Sequence, residues 1–273
     1  MLSPFQRRRQ SFKTRLIFEG PSPYIIQKLH LPTNTARMMY KSESRDLQVF
    51  VQTPHPASPA MYPVVIYFHG GCGIYDDHFL GTQLFLDAGY AVISPTFRGE
   101  NGNPGAYELF LGEVTDACHA VRWASDQEFV DKRMIYAFGY SMGGEIAALL
   151  SLFEGLPLRF TGSCGPFFAR PDMFGEKSMF NTPVPFDTTD KNETAVRTLA
   201  NNYQDMRLRH RAFIGVDDEQ FGNNAYREIN TDGLLVVIVE VPGDHDSSLT
   251  HAIDGFIRLM EEDIRAIDVG KVP

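Results

Sequence analysis

Short apolar runs alternate with helix-length segments from about residue 62 to the end of the chain. This alternation restricts the fold more than any other feature. Val64-Val65-Ile66-Tyr67-Phe68 is a continuous apolar run ending at Gly70-Gly71. Similar runs cover 91–94, 134–138 and 211–215, with a weaker one at 159–162 and the longest at 234–241. Runs without polar alternation fit strands buried on both faces of a sheet. Between them, 78–88, 112–125, 142–153 and 249–267 place apolar residues at three- and four-residue intervals, the helical period. Strand, helix, parallel strand is the βαβ unit, and its repetition predicts a mostly parallel sheet with helices on both faces.

Length supports one domain of this kind. A 30.7 kDa chain exposes roughly 12,000 Å² of a ~44,500 Å² extended surface when folded, enough burial for a core without disulfide or metal staples. The hydrophobic share of 43% against 22% charged residues argues against disorder. A formal net charge of -9 argues against a general nucleic-acid binder. No apolar run reaches the ~18 residues of a membrane span. Cys72, Cys118 and Cys164 are odd in number and widely spaced. They suggest no disulfide framework, and reduced thiols in a cytoplasmic protein are the expectation. A homo-oligomer is left open.

Residues 1–62 read as an N-terminal extension followed by the first strands, with partial alternation at 24–31 and 47–53 and a Pro-rich turn at 54–59. Arg7-Arg8-Arg9 with Lys13 and Arg15 lacks the apolar segment of a secretory signal, so a solvated extension is expected, with a partner-binding arm as the alternative. Residues 63–273 then form the core. Within it, 165–190 is rich in Phe, Pro, Gly and Met and has no clear period. A compact domain rarely keeps so much irregular chain unless it covers a site. With the stretch to 206 it reads as a cap or lid.

The sharpest motif is Gly139-Tyr140-Ser141-Met142-Gly143-Gly144, after the 134–138 run and before a helical period. In that context G-x-S-x-G is a nucleophile elbow: a strained turn lifts the Ser141 hydroxyl to the head of the sheet. The helix that follows adds the partial positive charge of its N-terminus. His69-Gly70-Gly71-Cys72-Gly73 ends an earlier strand, and its Gly71/Cys72 backbone can offer one oxyanion N–H, with Met142 offering the other. His69 precedes the serine and reads as a structural histidine.

A serine needs a base and an orienting carboxylate, which in such sheets follow in the order Ser, Asp/Glu, His. Asp217-Asp218-Glu219 lies just beyond one strand and His245 just beyond the last, both at carboxyl ends. His210 falls at the opposite edge, and His251 inside the final helical period. Asp76-Asp77-His78 and Asp244-His245-Asp246 lack a zinc spacing, so no metal is expected. No phosphate-loop or dinucleotide fingerprint is present, and no cofactor is expected. Arg98, Glu113 and Asp116 read as structural ion pairs or caps. Tyr140, Tyr75, Phe167, Phe168 and Phe174 are candidates to line an acyl pocket, or equally to fill core.

These pieces resemble the catalytic domain of the prolyl oligopeptidase group within the α/β-hydrolases, from about Val64 onward. The matching pieces are the strand ending in His69-Gly70-Gly71, the Arg98-Gly99 turn, the Glu113…Asp116 helix and the elbow. The group's G-x-x-D-x-x-V acid segment is met by Gly215-Val216-Asp217-Asp218-Glu219-Gln220-Phe221, with Phe in place of Val. That register implies Asp218 as the acid, with Asp217 one residue away. The resemblance implies an α/β-hydrolase fold with a short cap and a serine hydrolase acting on a small ester or short peptide. About 60 residues precede the core, too few for the group's β-propeller, so its peptidase specificity is not expected to carry over. Carboxylesterase activity is the leading expectation, with short-peptide hydrolysis second. Dienelactone hydrolases look similar but use Cys where this chain has Ser141. A catalytically silent binding protein is the rival from another class, and the complete Ser, Asp, His set argues against it.

Overall fold

The computed structural model describes residues 1–24, 28–54, 61–168, 174, 184–200, 202–219 and 226–270. Its sheet has eight strands: β1 (Thr35–Ser42), β2 (Arg45–Gln52), β3 (Tyr62–Phe68), β4 (Ala91–Pro95), β5 (Val130–Tyr140), β6 (Thr161–Cys164), β7 (His210–Gly215) and β8 (Val236–Val241). Their order is β1-β2-β4-β3-β5-β6-β7-β8. β1 and β2 are antiparallel and β2 meets β4 antiparallel; every other pairing is parallel. The helices are α1 (Pro4–Ser11), α2 (His78–Asp87), α3 (Gly112–Ser125), α4 (Met142–Leu150), α5 (Lys191–Ala195) and α6 (Ser248–Asp268).

The continuous apolar runs are explained by two cores, one on each face. Along β3, Val64, Ile66 and Phe68 enter the first core, while Val65 and Tyr67 enter the second. β5 does the same with Ile135 and Ala137 against Tyr136 and Phe138. Each strand residue has an apolar neighbour whichever way it points, so no polar alternation survives. The parallel order reverses on either side of β3. In open α/β sheets ligands bind at the carboxyl ends of the strands beside such a switch point, here β3 and β5. No helix among the described residues is long and apolar enough to cross a membrane.

Several elements depart from the sequence expectations. Described residues of 24–31 form no strand; the first strand is β1, an edge strand whose Met38 and Met39 are 37% and 50% exposed. An edge strand with an open face needs no apolar alternation, so the pattern could not reveal it. The weak run at 159–162 shifts to β6, whose Thr161-Gly162-Ser163-Cys164 is wholly buried despite its polar composition. β5, at 11 residues, is the longest strand, because Asp131, Lys132 and Arg133 extend it beyond the apolar stretch.

The arm keeps Arg7, Arg8, Lys13 and Arg15 exposed, as expected, but its helix is docked on the core. Ser3 and Gln6 form a capping box at the start of α1, and Phe5 is fully buried. Ser3 Oγ donates to Leu152 O at 2.6 Å. The Arg9 guanidinium donates to the carbonyls of Phe110, Leu111 and Val196. Burial pushes its pKa down to about 10. Thr14 Oγ1 and Arg15 N donate to Glu193, and Ile17 N donates to Pro185 O at 2.8 Å. Arg197, wholly buried, donates to Thr14 Oγ1 at 2.9 Å and lies 3.9 Å from the Phe186 ring centroid. The chain therefore uses these arginines as donors to carbonyls that helix and loop ends leave unpaired. Most of the expected 165–190 cap, namely 169–173 and 175–183, lies outside the described residues.

Candidate active site

β5 runs into Ser141, whose backbone is strained at φ 54° and ψ -117°. Such a conformation costs on the order of 1–3 kcal/mol and persists only where the surroundings enforce it. Here they do. A Cβ on Gly139 would lie 1.9 Å from Gly143 O, and one on Gly143 would lie 2.1 Å from Phe68 O. Only glycine lets α4 start this close to β3 and β5. The Ser141 N–H donates to Cys164 O at 2.8 Å, which anchors the turn to β6.

Three loops converge on this serine. After β7, Asp218 N donates to Gly215 O at 3.1 Å, and the Asp218 side chain points inward at 1% exposure. After β8, His245 is 7% exposed. His245 Nδ1 is 2.9 Å from Asp218 Oδ2, and His245 Nε2 is 3.0 Å from Ser141 Oγ. A carboxylate only accepts, so Nδ1 donates to Asp218 and Nε2 is free to accept the Ser141 hydroxyl. Asp217 is exposed and does not reach His245. Gly165, just past β6, is the second requirement: a Cβ there would lie 2.6 Å from His245 Cε1.

The loop after β3 closes the other side. Gly70 abuts the elbow so closely that a Cβ would meet the Tyr140 ring at 2.8 Å and Ser141 Cβ at 3.4 Å. Gly71 takes a left-handed φ of 66°. Cys72 is buried, its Sγ 3.3 Å from Tyr107 Oη and 3.4 Å from Met142 Sδ, and its carbonyl accepts from Ser22 Oγ. Burial pushes the Cys72 thiol up to about 12, so it remains protonated at neutral pH. Asn101 holds the loop further along, accepting from Ile74 N and donating to Ile74 O.

The remaining candidates separate. His69 is buried with Nε2 3.2 Å from Glu100 Oε2. Burial alone would lower its pKa, but Glu100 outweighs that and raises it. His210 lies between the Thr161 and Ser163 hydroxyls at the amino end of β7, the edge opposite Ser141. His251 is an exposed residue of α6. Arg98 is held by Asp116, Glu108 and Glu43, and Glu113 accepts from Glu108 N, all structural contacts. Phe167 and Phe168 are at most 1% exposed and belong to the first core, with Phe168 edge-on to Tyr226, His210 and Tyr203. Phe174 packs there too, on Phe110 and Phe186. Tyr75 is half-buried, stacked on His78 and edge-on to Tyr24. Tyr140 donates its hydroxyl to Asp246. Asp76 pairs with exposed His30. Two clefts, of about 250 and 490 Å³, lie beside β7 and α6 and between α1 and α3, and neither is lined by Ser141.

Two site-supporting residues escaped sequence reasoning. Gly165 was read only as part of an irregular cap. Glu145, fully buried in the first turn of α4, accepts from Leu199 N at 3.1 Å and ties the elbow helix to the segment after α5. A lone acid inside the apolar run Met142–Leu150 was the available signal.

The buried ionisable groups set the pH range of stability. Burial, with His69 and Arg211 adding repulsion, lowers His78 and His210 to about 3. Burial raises Glu113 and Glu145 to about 8. Below their ordinary 6.5 the two histidines charge first in the unfolded chain, so their contribution is lost as pH falls towards 3. Above their ordinary 4.5 the two glutamates ionise first in the unfolded chain, so theirs is lost as pH rises through 8. Between those limits the two effects oppose each other, two protons against two. Thermal unfolding midpoints should form a plateau from roughly pH 4.5 to 6.5 and fall on both sides. A midpoint that climbs steadily from pH 6 to 9 would contradict this assignment.

A family model described as X-Pro dipeptidyl-peptidase (S15 family) matches residues 17–159. The uncharacterized peptidase YtmA of Bacillus subtilis (strain 168) is 29% identical over 113 residues, covering 41% of this chain and 44% of that protein. An uncharacterized 31.7 kDa protein in the Escherichia coli traX-finO intergenic region is 29% identical over 92 residues, 33% of this chain and 32% of that one. The matches thus span less than half the length of these relatives. Among solved structures, Pyrococcus horikoshii acylaminoacyl peptidase superposes with a TM-score of 0.62 at 15% identity, over 86% of this chain and 41% of that one. Est1E from Butyrivibrio proteoclasticus, with ferulic acid bound, gives 0.67 at 19% over 84% and 99%. The Pyrococcus furiosus esterase Pf2001 gives 0.63 at 18% over 93% and 97%. At these identities the likeness establishes the α/β-hydrolase fold and nothing finer.

Proposed function

The chain belongs to the X-Pro dipeptidyl-peptidase (S15) family, and from that premise we propose that it is a serine hydrolase of small carboxylic esters or amides working through an acyl-enzyme. The supporting observation is the hydrogen-bonded chain Ser141–His245–Asp218 at a strained elbow. Ser141 Oγ attacks the substrate carbonyl while His245 Nε2 takes its proton. Asp218 holds the imidazole tautomer and stabilises the imidazolium. The oxyanion is met by the Met142 N–H at the start of α4 and by the Gly71/Cys72 backbone. His245 then gives its proton to the leaving alkoxide or amine. Water, deprotonated by His245, attacks the acyl carbon and releases the acid, restoring Ser141.

Carboxylesterase activity is the first reading, since ester carbonyls are the more reactive acyl donors. Hydrolysis of short peptides is the second, and the family description favours it. The test is a side-by-side panel of p-nitrophenyl acetate and butyrate against X-Pro p-nitroanilides, with fluorophosphonate labelling of Ser141 as the common control. Faster ester turnover supports the first reading, and faster X-Pro anilide turnover the second. A folded protein that neither labels nor turns over either class rejects the proposal.

A further inference from the structure

Ser141 and His245 come from loops at the ends of β5 and β8, which are separated in the sheet by β6 and β7. Three strand spacings amount to about 14 Å, so the base loop must reach back across the sheet to meet the nucleophile. Besides the Ser141–His245 contact, one further side-chain hydrogen bond among the described residues joins these two loops. Tyr140 Oη donates to Asp246 Oδ1. Tyr140 immediately precedes the nucleophile, and Asp246 immediately follows the base.

The surroundings leave this pair little freedom. The Tyr140 ring lies 5.2 Å from the His245 ring with an interplanar angle of 32°. The ring also lies close to Gly70, where a Cβ would come within 2.8 Å of it. The imidazole is backed in turn by Gly165, where a Cβ would come within 2.7 Å of Nδ1. Imidazole and phenol are therefore tilted against each other, each with a glycine packed close to it. Asp246 itself is exposed, and Tyr140 is its one side-chain partner among the described residues. A hydroxyl-to-carboxylate bond is of the stronger kind.

We infer that Tyr140 and Asp246 form a latch that positions His245 on Ser141, joining the residue before the nucleophile to the residue after the base. The latch rests on the serine hydrolase reading and deepens it. Both residues act through His245 and are positioning residues. Removing the latch leaves the acyl and leaving-group contacts in place but lets the base loop drift. A misplacement of about 1 Å costs on the order of 10²-fold in rate.

The test compares wild type with Tyr140→Phe, Asp246→Ala, Asp246→Asn and the Tyr140→Phe/Asp246→Ala double variant. Tyr140→Phe keeps the ring packing, and Asp246→Ala changes an exposed residue, so at least one is expected to fold; thermal unfolding checks both. The readouts are the fluorophosphonate labelling rate and kcat and KM for p-nitrophenyl acetate. Tyr140→Phe and Asp246→Ala should each lower the labelling rate and kcat by roughly 10- to 100-fold, with KM within about twofold. The double variant should be no worse than either single one, because both remove one interaction. Asp246→Asn, whose amide oxygen still accepts the hydroxyl proton, should recover most of the loss. Unimpaired labelling in folded Tyr140→Phe and Asp246→Ala would overturn the latch. So would a change in KM confined to Tyr140→Phe, which would make that ring a pocket wall. Wild type that never labels overturns the hydrolase reading and the latch with it, which separates the two failures.

Discussion

Ser141→Ala is expected to lower kcat by about 10⁶, leaving only the acceleration supplied by the oxyanion donors and binding. Fluorophosphonate labelling should vanish with it. The variant should still fold. The strained φ of 54° at this position burdens alanine as it does serine, and the Ser141 N–H to Cys164 O bond belongs to the backbone. The hydroxyl lost makes its described hydrogen bond to His245. Kinetics on p-nitrophenyl acetate and a thermal unfolding curve measure both parts. Retained turnover in a folded Ser141→Ala protein would remove the nucleophile from the mechanism.

Asp218→Asn is expected to lower kcat by about 10⁴, whereas Asp217→Asn should stay within about twofold. The first change is nearly isosteric, so the loss comes from the proton and not from packing. An amide turned to donate to His245 Nδ1 would place the imidazole proton on Nε2, where it can no longer accept from Ser141. Turned the other way, the amide would keep the tautomer but lose the charge that stabilises the imidazolium. Asp217 is exposed, and its backbone N–H is already used by Gly243 O at 3.0 Å. The same assay on both variants decides between adjacent residues. A larger loss at 217 would transfer the acid role to it.

Most of the sheet was legible because its strands are buried on both faces. Burial on both sides favours apolar residues at nearly every position of β3, β4 and the second half of β5, Ser94 apart, and such runs are visible without any tertiary information. The strands that hid were those for which this forcing is absent. β1 is an edge, and β6 packs Thr161 and Ser163 onto His210, so polar side chains are satisfied there by each other. The docking of the arm at 1–17 was hidden for a similar reason. Three arginines in a row look like a solvated face. Yet Arg9 finds the carbonyl oxygens of Phe110, Leu111 and Val196, which lie far along the chain, and nothing local announces them.

The sequence by itself determined the order of the elements, the elbow at Ser141 and the strand ends that carry Asp217, Asp218 and His245. These follow from local periodicity and from glycines whose backbone has no substitute. Only the tertiary structure decided which aspartate faces the imidazole, that Phe167 and Phe168 are core, and that Gly165 and Tyr140 enclose His245. Each of those depends on distances of a few ångströms between segments 20 to over 100 residues apart. Side-chain burial and hydrogen-bond geometry at that range are set by how the strands stack in the sheet, and a linear pattern does not carry that information.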